Sequence, residues 1–191
     1  MADIVNGVDR KALFDTIDAV KKDPAIAKFE FRLKNEWMRG GLNRSTVTDF
    51  YGTKEEITHD NPFVLYNDEH PVLLSGDEGP NPVENLLHAL AGCMTTSIVY
   101  HAAAKGKKID AIRTRFEGDL DLQGFLGLSK TVRKGYQNIR VIFEIDGDLT
   151  AEEKRELMQL APTYSPVFDV VANGTKVDCR LADEMKLQAA E

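Results

Sequence analysis

The chain has 191 residues, of which 42% are hydrophobic and 29% are charged, and its formal net charge is −7. This composition is typical of a soluble globular protein, and the acidic balance argues against nucleic acid or an anionic membrane as a partner, because phosphate groups are bound by a basic face. The two cysteines, Cys93 and Cys179, form no CxxC motif or Cys/His cluster with zinc spacing. We therefore predict no disulfide scaffold, no metal or other cofactor, and a reducing cytoplasmic location.

The first third of the chain predicts one helix followed by strands. Apolar residues recur every three or four positions over residues 9–22, which predicts an amphipathic helix. Strict alternation over residues 27–34 predicts a strand with one buried face, formed by Phe29, Phe31 and Leu33. Weaker strands are predicted at residues 45–51 and 63–66. We interpret residues 1–24 as a helical appendage and residues 25–191 as the main domain.

The most informative segment starts at Asn81 and Pro82. Asn81 suits the N-cap and Pro82 the first position of a helix that Gly106 should end after about Lys105. Residues 85–104 contain no formal charge, but their His, Thr, Ser and Tyr side chains are costly in hydrocarbon, so we predict a buried helix in a soluble protein rather than a membrane span. The helix is apolar on nearly every side, so a partner subunit would help to cover it.

The remainder of the chain predicts strands and short helices. Alternation predicts strands over residues 112–122 and 139–145, and the long, semi-apolar connection between them is expected to pack over a pocket or a partner. Thr150 and Glu153 have capping-box spacing and should start a helix. Ser165 should cap a second, shorter helix. A final strand is predicted over residues 175–181. This irregular order predicts an α+β fold with antiparallel sheet.

Cys93 lies near the middle of the long helix, on the face that carries Leu86 and Leu90. Taken alone, it fits a small buried core residue. A nucleophilic thiolate would need a lowered pKa from a neighbouring cation, because the helix N-terminus is about three turns away. Cys179, on the predicted last strand, is interpreted as a buried structural thiol, and Ser165 as a helix cap. His88 and His101 flank Cys93 but lack the spacing of a metal pair.

The stretch from Asn81 to Cys93, NPVENLLHALAGC, resembles the central-helix motif of the OsmC/Ohr family, the osmotically inducible and organic hydroperoxide resistance proteins. The later Ser165-Pro166-Val167 resembles the family's second motif, in which Cys-Pro-Val starts a short helix. Over residues 29–181 this resemblance implies an OsmC-like fold, with antiparallel sheets around a long buried central helix. It also implies an intertwined homodimer with active sites near the subunit interface.

The resemblance implies a thiol-dependent peroxidase that reduces organic hydroperoxides through Cys93. The second family cysteine, which resolves the oxidised first one as a disulfide, is replaced here by Ser165. Cys93 would then be resolved by an external thiol, or by Cys179 if the fold brings it close. The position of the family's catalytic glutamate holds Val83.

Two further site residues are implied by the resemblance. Glu84 follows the glutamate position by one residue, roughly 100° around the helix, and is retained as a candidate. The family's arginine, which lies near a Gly-Gly turn, is assigned to Arg44, with Arg39 as the second choice. The replacements at Val83 and Ser165 also fit an alternative: a non-catalytic OsmC-like dimer that binds a small hydrophobic or thiol-bearing ligand.

Overall fold

A computed structural model describes residues 3–183 and shows an α+β fold in which every strand pairing is antiparallel. The strands are β1 (Ile4–Val5), β2 (Val8–Asp9), β3 (Glu30–Phe31), β4 (Lys34–Arg39), β5 (Leu42–Gly52), β6 (Glu55–Asn67), β7 (Ala111–Asp119) and β8 (Asn138–Asp146). The helices are α1 (Arg10–Lys22), α2 (Pro82–Ala104), α3 (Leu122–Phe125), α4 (Ala151–Tyr164) and α5 (Pro166–Asn173). The predicted class is thereby confirmed.

The larger sheet is built around β5. Strands β3 and β4 follow one another along one edge of β5, and β6 pairs with the other edge. A tight turn joins β5 to β6, with Thr53 and Lys54 both at positive φ, as hairpin turns of this length require. The strands predicted at residues 45–51 and 63–66 are parts of the longer β5 and β6.

The prediction of a long strand over residues 27–34 with a buried face was wrong. Pro24–Ala27 forms a short 3-10 helix, Glu30–Phe31 is a two-residue strand, and Lys34 already belongs to β4. Phe29, Phe31 and Leu33 are exposed, Phe31 by 76%. The ring of Phe29 stacks on those of Phe31 and Phe50, and Phe31 packs on Phe50 at a tilt, so the alternating pattern reflects an aromatic cluster on the sheet surface rather than a buried face.

A separate core forms around α2. The helix begins at the predicted N-cap Asn81, which confirms its start. Its buried side chains recur every four residues, and α4, α5 and the β7–β8 hairpin pack against them. The buried core residues are Leu90, Met94, Ile98, Ala102, Ile145, Leu157, Leu160 and Ala161. Other positions of α2, including Tyr100, remain exposed, so burial on all sides is not seen within one chain.

Most C-terminal predictions hold. Strands β7 and β8 match the predicted ones closely, although residues 122–125 form the short helix α3 instead of continuing β7. Thr150 and Glu153 form the predicted capping box, and Ser165 caps α5.

The predicted strand over residues 175–181 was wrong. Within the described part of the chain this segment pairs with no strand, and Cys179 on it is exposed rather than buried. An alternating pattern needs a neighbouring strand to become a sheet, and the described residues offer this segment none.

The N-terminal segment is joined to the end of α2. The Asn6 side-chain amide donates to the Lys107 carbonyl at 2.9 Å, and the Ile109 amide donates to Asn6 Oδ1 at 2.8 Å. Arg10 donates to the Ala104 carbonyl, at the end of the helix. The boundary between residues 24 and 25 stays a prediction. None of the helices within residues 3–183 combines the length and the apolar character that crossing a membrane requires.

Candidate functional site: the groove at Cys93

Cys93 sits at mid-helix and is partly exposed. It lines an open groove of about 380 Å³, which we call the Cys93 groove. The other residues of this groove come mostly from the next two turns of α2: Gly92, Thr96, Ser97, Tyr100, His101 and Pro166. The thiol is therefore neither fully buried nor fully exposed, and a small molecule can approach it.

Hydroxyl groups surround the thiol. Thr96 and Tyr100 follow Cys93 by one and two turns and line the same groove. The Ser97 hydroxyl donates to the Cys93 carbonyl at 2.9 Å, which ties it to the helix backbone. The Cys93 groove thus offers hydrogen-bonding groups for an oxygen atom close to the sulfur.

His101 closes the far end of the groove. Its ring stacks on Tyr164, with 3.8 Å between ring centroids. Burial, with a smaller contribution from the positive charge of Lys105, lowers the pKa of His101 below its ordinary value of 6.5. His101 is therefore neutral at pH 7, and it can exchange hydrogen bonds but does not supply the cation that a thiolate needs.

The two candidate arginines lie on the larger sheet, away from the Cys93 groove. Arg44 on β5 pairs with Glu36 at 2.5 Å, and Arg39 at the end of β4 pairs with Glu78. Neither residue lines the groove. Within one chain, the structure does not bring Arg44 or Arg39 to the thiol.

Ser165 does adjoin the groove, because the next residue, Pro166, lines it. The Ser165 side chain is 3% exposed, and its hydroxyl accepts a hydrogen bond from the Phe168 amide at 3.1 Å. A serine at this position therefore stabilises the start of α5. Cys179 does not line the groove, so the described residues give no support for it as a substitute resolving thiol.

Glu84 has a structural role at the start of α2. Its carboxylate accepts from the Asn81 amide at 2.8 Å, and Asn81 Oδ1 accepts from the Val83 amide at 2.8 Å. This capping box stabilises the helix start, about two and a half turns from Cys93. Neither Glu84 nor Val83 lines the groove.

Sequence reasoning missed Thr96, Ser97 and Tyr100 as neighbours of the thiol. They follow Cys93 by three, four and seven residues, the spacing of one helix face. That spacing could have identified them once Cys93 was placed on a helix. Pro166 could not be found in this way, because its position depends on how α5 packs against α2.

The fold and the cysteine at mid-helix define an α+β protein of the OsmC type. The chain belongs to the OsmC-like protein family, whose sequence model matches residues 75–180, more than half of its length. The matched segment contains α2, Cys93 and Ser165. Among curated proteins, none matches the chain significantly in sequence.

Solved structures agree with this assignment. An OsmC-like protein from Mycoplasma pneumoniae superposes with a TM-score of 0.59 at 16% identity, over 79% of this chain and 94% of that one. The organic hydroperoxide resistance protein OsmC from Legionella pneumophila gives a TM-score of 0.54 at 17% identity, over 78% and 93%. At these identities the likeness establishes the fold alone.

Proposed function

We propose that the chain is an OsmC-like thiol-dependent peroxidase that reduces organic hydroperoxides through Cys93 as its only redox cysteine. The position of Cys93 carries this proposal: the thiol is accessible, in an open groove, on the long helix of an OsmC-like protein. A thiol sealed in the core could not meet a hydroperoxide. The Legionella structural neighbour, described as an organic hydroperoxide resistance protein, supports the same chemistry.

The proposed cycle has three steps. The Cys93 thiolate attacks the terminal peroxide oxygen, the O–O bond breaks, and the alkoxide leaves and is protonated to the alcohol, so the sulfur becomes a sulfenic acid. An external thiol then condenses with the sulfenic acid to a mixed disulfide and releases water. A second external thiol attacks the external sulfur of that disulfide, so that the two external thiols leave joined as a disulfide and Cys93 is released as the reduced thiolate.

The surroundings of Ser165 support an external thiol as the resolving group. A hydroxyl cannot form a disulfide, and this one caps α5. The neighbouring hydroxyls of Thr96 and Tyr100 would donate hydrogen bonds to the peroxide oxygens during the attack.

The proposal includes a homodimer. The larger sheet exposes Phe31, Trp37 and Phe63, and α2 leaves Tyr100 half exposed. Apolar surface of this extent commonly marks an interface. A second copy would also bring a cation, from Arg44 or Arg39, to the groove of its partner, where it would stabilise the reacting thiolate. Sedimentation equilibrium should then give twice the mass of one chain.

Steady-state reduction of cumene hydroperoxide with dithiothreitol tests the proposed activity. Cys93→Ser should abolish turnover, and the matched variant Cys179→Ser should retain it, because Cys179 lies outside the groove. Arg44→Gln and Arg39→Gln then identify the activating cation. Only the substitution of the arginine that contacts the thiolate should lower the rate. Equal rates for the wild type and Cys93→Ser would refute the peroxidase.

A second candidate is a non-catalytic dimer that binds a small hydrophobic or thiol-bearing ligand. The observation that favours it is the absence of any arginine or lysine among the described residues that line the Cys93 groove. The rate of alkylation by iodoacetamide against pH separates the two candidates. A midpoint well below about 8.5, the value for a free thiol, supports the peroxidase, and a midpoint at or above it supports the binding protein.

A further inference from the structure

A second cavity lies between α2, α5 and β8 and shares no residue with the Cys93 groove. Its volume is about 490 Å³, within the roughly 300–1,000 Å³ typical of small-molecule sites. Most of its wall is apolar, formed by Leu86, Leu90, Ile139, Val141, Phe168 and Val171. We call it the Arg133 pocket, after the one charged residue among the described residues that line it.

Arg133 differs from every other arginine of the chain. The sequence has ten arginines, and nine of them pair with a carboxylate within 4.0 Å. Within residues 3–183, Arg133 has no acidic partner. The lining residues that the structure describes include no Asp or Glu either, although the sequence has 31 of them. The one arginine without an acidic partner among residues 3–183 therefore lies at an apolar cavity.

The segment that carries Arg133 has an unusual charge distribution for an acidic protein. Residues 122–137 include Lys130, Arg133 and Lys134 and no acidic residue. This is the connection between β7 and β8 for which the sequence predicted packing over a pocket or a partner. Its local positive charge would attract an anion to the pocket.

Close packing holds this segment in place. The Tyr136 hydroxyl donates to the Val83 carbonyl at 2.9 Å, and the Tyr136 ring lies so close to Gly118 that a Cβ there would come within 2.3 Å of it. Gly124 likewise leaves no room for a Cβ, which would lie 2.6 Å from the Arg133 carbonyl. A wall fixed in this way loses little conformational entropy when a ligand binds.

From these observations we infer that the Arg133 pocket binds an amphipathic anion: an unbranched alkyl carboxylate, with its chain against the apolar wall and its carboxylate on the guanidinium of Arg133. A guanidinium pairs well with a carboxylate, through two parallel hydrogen bonds. This inference does not rest on the proposed peroxidase, because the Cys93 groove takes no part in it.

Isothermal titration of the full chain with decanoate tests the inference, and decanol is the uncharged probe of the same length. Arg133→Gln should weaken decanoate binding about fivefold or more and leave decanol binding within about twofold. Arg115→Gln is the matched control, because it removes the same charge from β7, where Arg115 pairs with Glu117 outside the pocket. It should leave both affinities unchanged.

A second variant fills the cavity. Val170 lines the Arg133 pocket and is half exposed on α5, so Val170→Trp should preserve the fold and abolish binding of both probes. Ala172→Phe, two residues further along α5 and also in the pocket lining, does the same should the first variant fold poorly. Cys93→Ser should bind decanoate as the wild type does, which separates this test from that of the peroxidase.

Three outcomes would overturn the inference. They are equal weakening of decanoate by Arg133→Gln and Arg115→Gln, unchanged binding in the folded pocket-filling variants, and no saturable decanoate binding to the wild-type protein. The last result is expected if a second copy of the chain, rather than a small molecule, occupies the cavity.

Discussion

The core around α2 and the larger sheet differ in how far their apolar side chains are buried. Around α2, Ile98 and Ala102 are fully buried by α4, α5 and the β7–β8 hairpin. On the sheet, Phe31 and Trp37 are mostly exposed, and the ring of Phe31 packs only partly against those of Phe29 and Phe50. Both regions have clear hydrophobic periodicity in the sequence. The difference teaches that periodicity identifies an apolar face, but not whether the same chain covers it.

The largest expected effect is in the core. Ile98→Ala should lower the free energy of unfolding by about 2–5 kcal/mol, because it opens a cavity where the native side chain is fully buried. Phe31→Ala is the comparison on the sheet and should cost under about 0.5 kcal/mol in a single chain, since that ring is already in water. Urea denaturation at two protein concentrations measures both changes. A cost for Phe31→Ala that grows with protein concentration would show that a second copy covers the sheet.

Asp68 lies in the connection between β6 and α2 and should be the next most sensitive position. It is 1% exposed, and its carboxylate accepts from Ser75 Oγ at 2.5 Å and from the amides of Glu69, Gly76 and Glu78. The Ser75 hydroxyl and these amides lower the pKa of Asp68 from 3.8 to about 2.

The sign of the pH dependence follows from this shift. A lowered pKa in the folded state contributes stability above about pH 4, and that contribution is lost as the pH falls from 4 towards 2. Asp68→Asn should therefore destabilise the protein at pH 7 and have a smaller effect near pH 2. Thermal unfolding of both proteins across this range measures the difference. A constant difference at all pH values would contradict the assigned role of the charge.

A substitution at Ser165 should change the stability of the core region without changing the peroxidase rate. Ser165→Ala removes the hydroxyl that caps α5 and should cost about 1 kcal/mol of unfolding free energy. The same variant should reduce cumene hydroperoxide as fast as the wild type, because the hydroxyl takes part in no proposed redox step. Denaturation and peroxidase assays on one preparation measure both properties. A rate that falls while the protein stays folded would assign Ser165 to the catalytic site.

The smallest effect is expected in the β5–β6 turn of the sheet. Thr53 has φ of +51°, a conformation that a β-branched residue adopts at a cost. Asn accepts this conformation more readily, so Thr53→Asn should raise the unfolding free energy by about 0.5 kcal/mol. Thr58→Asn, in the extended strand β6, is the matched control and should bring no gain. Equal effects of the two substitutions in urea denaturation would rule out the turn as the cause.

Local signals predicted the first residues of three helices well. Asn81, Thr150 and Ser165 each cap the helix that the sequence assigned to them, because capping is decided by residues within one turn. Strands were predicted less well. Strand β4 was missed, and residues 175–181 were wrongly assigned as a strand, because a strand exists only through its partner and pairing connects distant parts of the chain.

In the candidate site, too, the features set by local sequence were predicted and those that depend on tertiary packing were not. The place of Cys93 on a long helix followed from the sequence, and His101 was recognised as a flanking residue. The contribution of Pro166 depends on tertiary packing that no local pattern contains. The placing of Glu84 in a capping box was also missed, although its spacing from Asn81 is that of such a box. The arginines on the sheet remain predictions, because their approach to the thiol requires a second chain.

The hydrogen bonds of Asn6 have a practical consequence for shortened versions of the protein. A truncation that begins at residue 25 would remove the side chain that joins the Lys107 carbonyl to the Ile109 amide, together with the Arg10 contact to Ala104. These groups follow directly after α2 and precede β7. Expression trials that trim the N-terminus should therefore keep residue 3 onward, and a purification tag should be added before the paired strands β1 and β2 rather than replace them.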